Sequence, residues 1–164
     1  MANTLATDRD LIYLRKTLEL ASEARSCGRH PFGALIVDEA GEIVVTALNN
    51  SVPPEGEPTQ HAELVACAKA AQRLSAQELE RCTLYSSAEP CAMCAGAIYW
   101  SGVGRVVYGL SEVKLRTFTG SHPENPTLDM PCRTIFASGQ KTIAVVGPIL
   151  EDEASIAHLD FWNA

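Results

Sequence analysis

With 164 residues, 46% of them hydrophobic and 20% charged, the chain is long enough for one compact domain and too apolar to stay disordered. No apolar run approaches the roughly 20 residues that cross a bilayer, which argues against a membrane protein. A formal net charge of −7, with 13 basic residues spread thinly, lacks the clustered Lys/Arg footprint of a nucleic-acid binder.

The polar stretch from Met1 to Asp10 has no basic region followed by an apolar core, so the expected location is cytoplasmic. Six cysteines (Cys27, Cys67, Cys82, Cys91, Cys94 and Cys132) are too few and too scattered for a disulfide scaffold. In a reducing compartment a close pair points to a metal or redox site.

Residues 8–27 carry Leu11, Leu14, Leu18 and Ala21 at helical spacing, with Asp8 as N-cap and Gly28 as stop. Two β-rich runs follow, 34–37 and 43–45, joined by a turn over 38–41, and then a Pro/Gly-rich loop over 51–59. Residues 60–74 are apolar nearly all round, which predicts a helix buried on most sides. A strand over 83–86, a small-residue helix over 91–100 and a strand over 105–108 come next. The stretch 116–133, with Gly120, Pro123, Pro126 and Pro131, reads as a long functional loop. A last strand over 142–146 and a terminal helix over 151–162 complete the chain. Helices alternating with strands predict a three-layer α/β/α sandwich, and the early hairpin makes its five-stranded sheet mixed.

Two short motifs carry the chemistry. His61-Ala62-Glu63 stands at one predicted helix start and Pro90-Cys91-Ala92-Met93-Cys94 at another. Cys91 and Cys94 lie one helical turn apart on the same face, where a helix N-terminus favours thiolates. Pro90 sits where no helical N–H bond is lost. One His and two Cys make a three-ligand zinc site with its fourth position open, as a hydrolytic catalyst needs. Glu63, two residues after His61, reaches the same ion only if the metal sits off the helix tip. A lone CxxC could instead be redox-active, and a closed structural zinc would need a fourth ligand from His30, His122, His158 or Cys132.

The paired H-x-E and P-C-x-x-C motifs resemble the zinc deaminases. From about residue 8 to the C-terminus the chain is similar to the cytidine deaminase superfamily, most of all to bacterial guanine deaminases and tRNA adenosine deaminases. That resemblance implies one cytidine/deoxycytidylate deaminase-like domain over 1–164, one zinc ion per subunit held by His61, Cys91 and Cys94, and Glu63 as proton shuttle. It also implies a homodimer, and a C-terminal lid over 151–164.

The guanine deaminase likeness implies further pocket residues. Phe32 in Pro31-Phe32-Gly33-Ala34 would stack on the base, and Trp100 after Ile98-Tyr99 would line the pocket. Asn49, or Asn50 beside it, would hydrogen-bond the base. Ala62 would lie beside it, and Asp160 and Phe161 would close the tail over it. The acidic contact that guanine deaminases place after the fourth strand has three candidates, Glu112, Glu124 and Asp129. Each assignment also has a plain reading as core, turn or surface. By contrast, Ala92–Ile98 and Gly104–Gly109 read like the tRNA enzymes.

The expected activity is hydrolytic release of ammonia from a free nucleobase or nucleoside, guanine to xanthine in the lead. The alternatives are tRNA adenosine, a small pyrimidine or triazine base, and a non-catalytic zinc module.

Overall fold

The computed structural model describes residues 5–163; residues 1–4 and 164, the extremes of the expected domain and lid, lie outside them. Helix α1 (Asp8–Ser26) begins one residue earlier in its capping than the sequence suggested. Thr7, not Asp8, is the N-cap, and it forms a reciprocal capping box with Asp10. Gly28, at φ 73, turns the chain out of the helix.

Strands β1 (Gly33–Val37) and β2 (Ile43–Leu48) form the expected hairpin. Helix α2 (Ala62–Ala71) is shorter than its apolar run, and a separate turn of helix, α3 (Ala76–Glu80), follows under its own Ser75–Glu78 capping box. Then come β3 (Thr83–Ala88), α4 (Ala92–Ser101) and β4 (Arg105–Leu110). Helices α5 (Glu112–Thr119) and α6 (Cys132–Ala137) take up both ends of the stretch read as one long loop. Ser111 caps α5 by accepting from the Lys114 N–H, a signal masked by the prolines that follow. Strand β5 (Ala144–Val146) precedes α7 (Glu151–Ser155). The predicted terminal helix stops there: Ile156–His158 is a single 3-10 turn, and Asp160 adopts φ 60, which no helix continues.

Among the described residues the sheet has five strands in the order β2-β1-β3-β4-β5. β1 is antiparallel to both β2 and β3, whereas β3, β4 and β5 are parallel, so the sheet is mixed as expected. Alternate residues of β1 serve opposite layers. Leu35 and Val37 pack with Leu14 of α1, and Ala34 and Ile36 pack with Ala62, Ala66 and Ile98 of α2 and α4. α7 joins α1 on its face through Ala154 and the Arg15–Glu153 ion pair. A Cβ at Gly33 would stand 2.5 Å from the Leu20 Cβ, so only glycine lets β1 pass this close to α1.

This topology gathers four chain segments at one sheet edge. Gly33 pairs with Leu48, Ala34 with Ser86 and Ala88 with Leu110. The residues before β1 and those after β2, β3 and β4 therefore all emerge together. That is the crevice outside the carboxyl ends of parallel strands where α/β folds bind ligands. Among the described residues no helix is long and apolar enough to cross a membrane.

Candidate functional site

Helices α2 and α4 pack side by side with their N-termini at this edge. His61 is the N-cap of α2, Cys91 the N-cap of α4, and Cys94 lies in the first turn of α4. The ligand atoms of His61, Cys91 and Cys94 all fall within 4.8 Å of one another, and Cys91 Sγ is 3.6 Å from His61 Nδ1. Hydrogen bonding from the Cys94 thiol, aided by His61 and opposed by burial, pulls Cys91 down to about 4. Cys94 keeps the shared proton, its own thiol raised by Cys91 and by burial.

Two sulfurs sharing a proton beside an imidazole, at the positive ends of two helices, form a natural cation site. One nitrogen and two sulfurs suit zinc and leave a fourth position open, so these residues could hold one such ion. None of the four residues considered as a closing ligand joins the converging group. His158 is buried against Phe32 and Trp162, Cys132 lies in the core, and His30 is engaged with Glu124.

Glu63 does reach the same space. His61 has extended backbone (φ −67, ψ 150), so the chain keeps a two-residue period until the helix begins, and His61 and Glu63 both face one cavity. Glu63 is 5% exposed, and burial pushes its carboxyl up to about 7 against the pull of His61.

That cavity measures about 50 Å³. His61, Glu63 and Cys91 form one wall, with Asn49 and Phe32 among those opposite. Asn49 is buried, bonded to Ser51 and part of the cavity lining, whereas Asn50 bonds Gln60 and does not line it. Of the three acidic candidates, Glu112 and Glu124 line the cavity, while Asp129 is paired with Arg116 at 2.8 Å. Burial, then the neighbouring Glu89, pushes Glu112 up to about 7. Ala62 is fully buried between His61 and Glu63, but its side chain is absent from the wall.

Three expected pocket residues stand elsewhere in this chain. Trp100 is 81% exposed at the end of α4, because the buried side of that short helix is taken by Cys94, Ala95 and Ile98. Asp160 is exposed in the left-handed turn that ends the chain's helical tail. Phe161 packs edge-on against Trp162, at 4.8 Å between rings, and does not line the cavity.

The tail instead contributes Trp162, whose ring lies 6.2 Å from Phe32 and 5.0 Å from His30. Its indole N–H donates to His158 Nδ1 at 3.1 Å. An aromatic stack therefore backs the Phe32 wall. Sequence reasoning also missed His30, Leu115 and Asn125 in the wall, because no local pattern sets them apart. Glu89, beside Pro90, also lines the cavity. Its carboxylate accepts from the backbone N–H of Glu112 and of Cys132, tying together the starts of α5 and α6.

Comparison with known proteins agrees with this site. A protein of Schizosaccharomyces pombe described as a probable cytosine deaminase is 44% identical over 163 residues, covering 99% of this chain and 98% of that one. A tRNA-specific adenosine deaminase of Haemophilus influenzae is 42% identical over 101 residues, 62% of this chain and 58% of its own length. The solved structure of a guanine deaminase from Nitrosomonas europaea superposes with a TM-score of 0.77 at 25% identity, over 99% of this chain and 88% of that one. Residues 7–110, which contain both motifs and every strand but β5, match the cytidine and deoxycytidylate deaminase zinc-binding region, and the chain belongs to that family of hydrolytic deaminases.

Proposed function

We propose that the protein hydrolyses the exocyclic amino group of a free single-ring nucleobase, with cytosine, going to uracil and ammonia, as the leading substrate. The observation that carries this reading is the size of the cavity. At about 50 Å³ it is a small cavity, with room for a few waters at roughly 10–15 Å³ each, which favours a one-ring over a two-ring substrate. Guanine, favoured on sequence, needs space for two fused rings; the likeness to the Nitrosomonas europaea structure keeps it as the second reading. The full-length match to the Schizosaccharomyces pombe protein supports the smaller base. A small cavity and a net charge of −7 both weigh against a tRNA substrate.

In this reading His61, Cys91 and Cys94 hold zinc, which when bound supplies an acidified water at neutral pH. Glu63, buried next to that position, moves protons to the ring nitrogen and then to the departing ammonia. Phe32 packs on the face of the ring, and the aromatic tail keeps water out. The protein acts as a homodimer, and the exposed Trp100 belongs to its interface rather than to its own pocket.

The test is ammonia release by the zinc-loaded protein from cytosine, guanine, adenine, cytidine, guanosine, adenosine and tRNA, with Glu63→Ala as the blank. Cytosine should be turned over fastest, and Glu63→Ala should lose at least about 100-fold while keeping its zinc. Faster turnover of guanine than of cytosine would overturn the single-ring reading, and equal rates in Glu63→Ala would remove Glu63 from the chemistry.

A further inference from the structure

Helix α6 and the outer strand β5 border a groove of about 580 Å³, a size typical of small-molecule sites. It shares no lining residue with the active cavity. Phe136, Ile143 and Val145 form its apolar part, and Arg133, Lys141, Gln140 and Thr142 its polar part. No carboxylate lines it among the described residues. That is unexpected in a chain with 20 acidic and 13 basic residues. Elsewhere cations are matched, Arg15 by Glu153, Arg81 by Glu39 and Arg116 by Asp129. Arg133 and Lys141 have no carboxylate partner among the described residues.

Both cations are nevertheless held in place, by neutral groups. The Arg133 guanidinium lies 5.6 Å from the Tyr108 ring centre and donates to the Tyr108 hydroxyl at 2.8 Å. It also donates to the carbonyls of Gly147 and Val145, at 2.9 and 3.4 Å. Three of its five N–H groups are thus engaged, none of them by a charge. Lys141 Nζ lies 5.5 Å from the Tyr99 ring centre and donates to the Tyr99 carbonyl at 3.3 Å. The Tyr99 hydroxyl in turn accepts the Gln140 N–H at 2.9 Å. A Cβ at Gly139 would stand 2.2 Å from that ring, so the turn between α6 and β5 is pinned against α4. Neutral oxygens leave the two positive charges uncompensated while fixing where they sit. An anion entering the groove therefore meets donors already in position, which lowers the ordering cost of binding it.

We infer that this groove binds a phosphomonoester joined to a flat ring, with the phosphate between Arg133 and Lys141 and the ring against Phe136 and Ile143. A planar guanidinium beside a compact ammonium suits the three oxygens and near-double charge of a phosphomonoester better than the single charge of a carboxylate. The apolar lining gives the ring a surface that a bare anion could not use. The inference is independent of which base the active cavity takes.

Calorimetry on the zinc-loaded protein tests it with uridine 5′-monophosphate, which has both parts, uridine, which lacks the phosphate, and inorganic phosphate, which lacks the ring. The monophosphate should bind at least about tenfold more tightly than either part, and more weakly as salt is raised. Lys141 is exposed and bonded only through its ammonium, so its replacement leaves the core intact. Lys141→Glu should weaken the monophosphate at least about tenfold, whereas Lys141→Arg should stay within about threefold of wild type. A monophosphate that binds no better than uridine, or no better than inorganic phosphate, overturns the ligand class. Unchanged affinity in Lys141→Glu overturns the location, since binding in the active cavity would survive that substitution. Absence of binding by all three compounds overturns the inference outright, whereas the ammonia-release panel decides the proposed function separately.

Discussion

His158 should make the protein acid-labile by a calculable amount. The ring is 1% exposed, its Nδ1 accepts the Trp162 N–H, and its Nε2 is buried with no partner among the described residues. Burial, with the nearby Arg25 cation adding to it, lowers its pKa from 6.5 to about 4. The folded state thus favours the neutral ring, whereas the unfolded chain takes up a proton near 6.5. The stabilisation is fully present above pH 6.5 and is lost as the pH falls from there through about 4. The whole gap corresponds to about 3 kcal/mol, of which about 2 kcal/mol is lost by pH 5.

Urea denaturation of wild type and His158→Asn at pH 7.5 and pH 5 isolates this contribution. Other carboxylates and the metal ligands titrate in both proteins, so the difference of differences belongs to His158. Asn also offers an acceptor for the indole N–H. Wild type should lose about 2 kcal/mol more than the variant over that interval. Trp162 fluorescence, read in a Trp100→Phe background, should change before global unfolding, because the tail rests on Phe32 and is clamped to α1 through Arg25 bonds to the Ala157 and Leu159 carbonyls. A difference of differences below about 0.5 kcal/mol would refute the reasoning, since it would mean that the ring is hydrated or already charged when folded.

Two further perturbations probe other parts of the fold. Cys91→Ala removes the most acidic ligand of the His61–Cys91–Cys94 group, so the purified protein should hold well below one zinc per chain and melt at lower temperature; stoichiometric zinc by atomic absorption would contradict the ligand assignment. On the opposite face of the sheet, Asp10 is 2% exposed and accepts from Arg105 at 2.7 and 2.8 Å and from Tyr85 at 2.8 Å. Burial alone would raise its carboxyl, but Arg105, Thr7 and Tyr85 together hold it well below the usual range. Arg105→Ala should therefore cost about 3 kcal/mol in urea denaturation, towards the low end for a broken buried pair because Tyr85 and Thr7 still donate. A loss under about 1 kcal/mol would show that water replaces the guanidinium.

Much of this protein is legible along the chain. Helical spacing in α1, the hairpin of β1 and β2, and the alternation of strands with helices are local patterns, and they predicted a layered mixed sheet. The metal group was legible for the same reason: Cys91 and Cys94 are neighbours on one helical turn, and His61 and Glu63 are two residues apart, so short-range geometry nearly suffices. Even there, the convergence of His61 with Glu63 depended on the extended N-cap backbone at His61.

The substrate side was decided by tertiary structure. His30, Asn49, Glu112 and Glu124 come from four separated segments that meet only because the strand order β2-β1-β3-β4-β5 brings their ends to one edge. No periodicity in sequence encodes such a meeting. The tail shows the same limit: its composition suited a helix with Asp160 and Phe161 over the pocket, but the left-handed turn at Asp160 buries Trp162 behind Phe32 instead. Trp100 stands outside this chain's cavity for the converse reason, since an aromatic near a motif faces whichever side packing leaves open, and α4 had already committed its buried side. Ligand chemistry follows from residues close in sequence, whereas pocket size and polarity follow from which distant segments the sheet brings together.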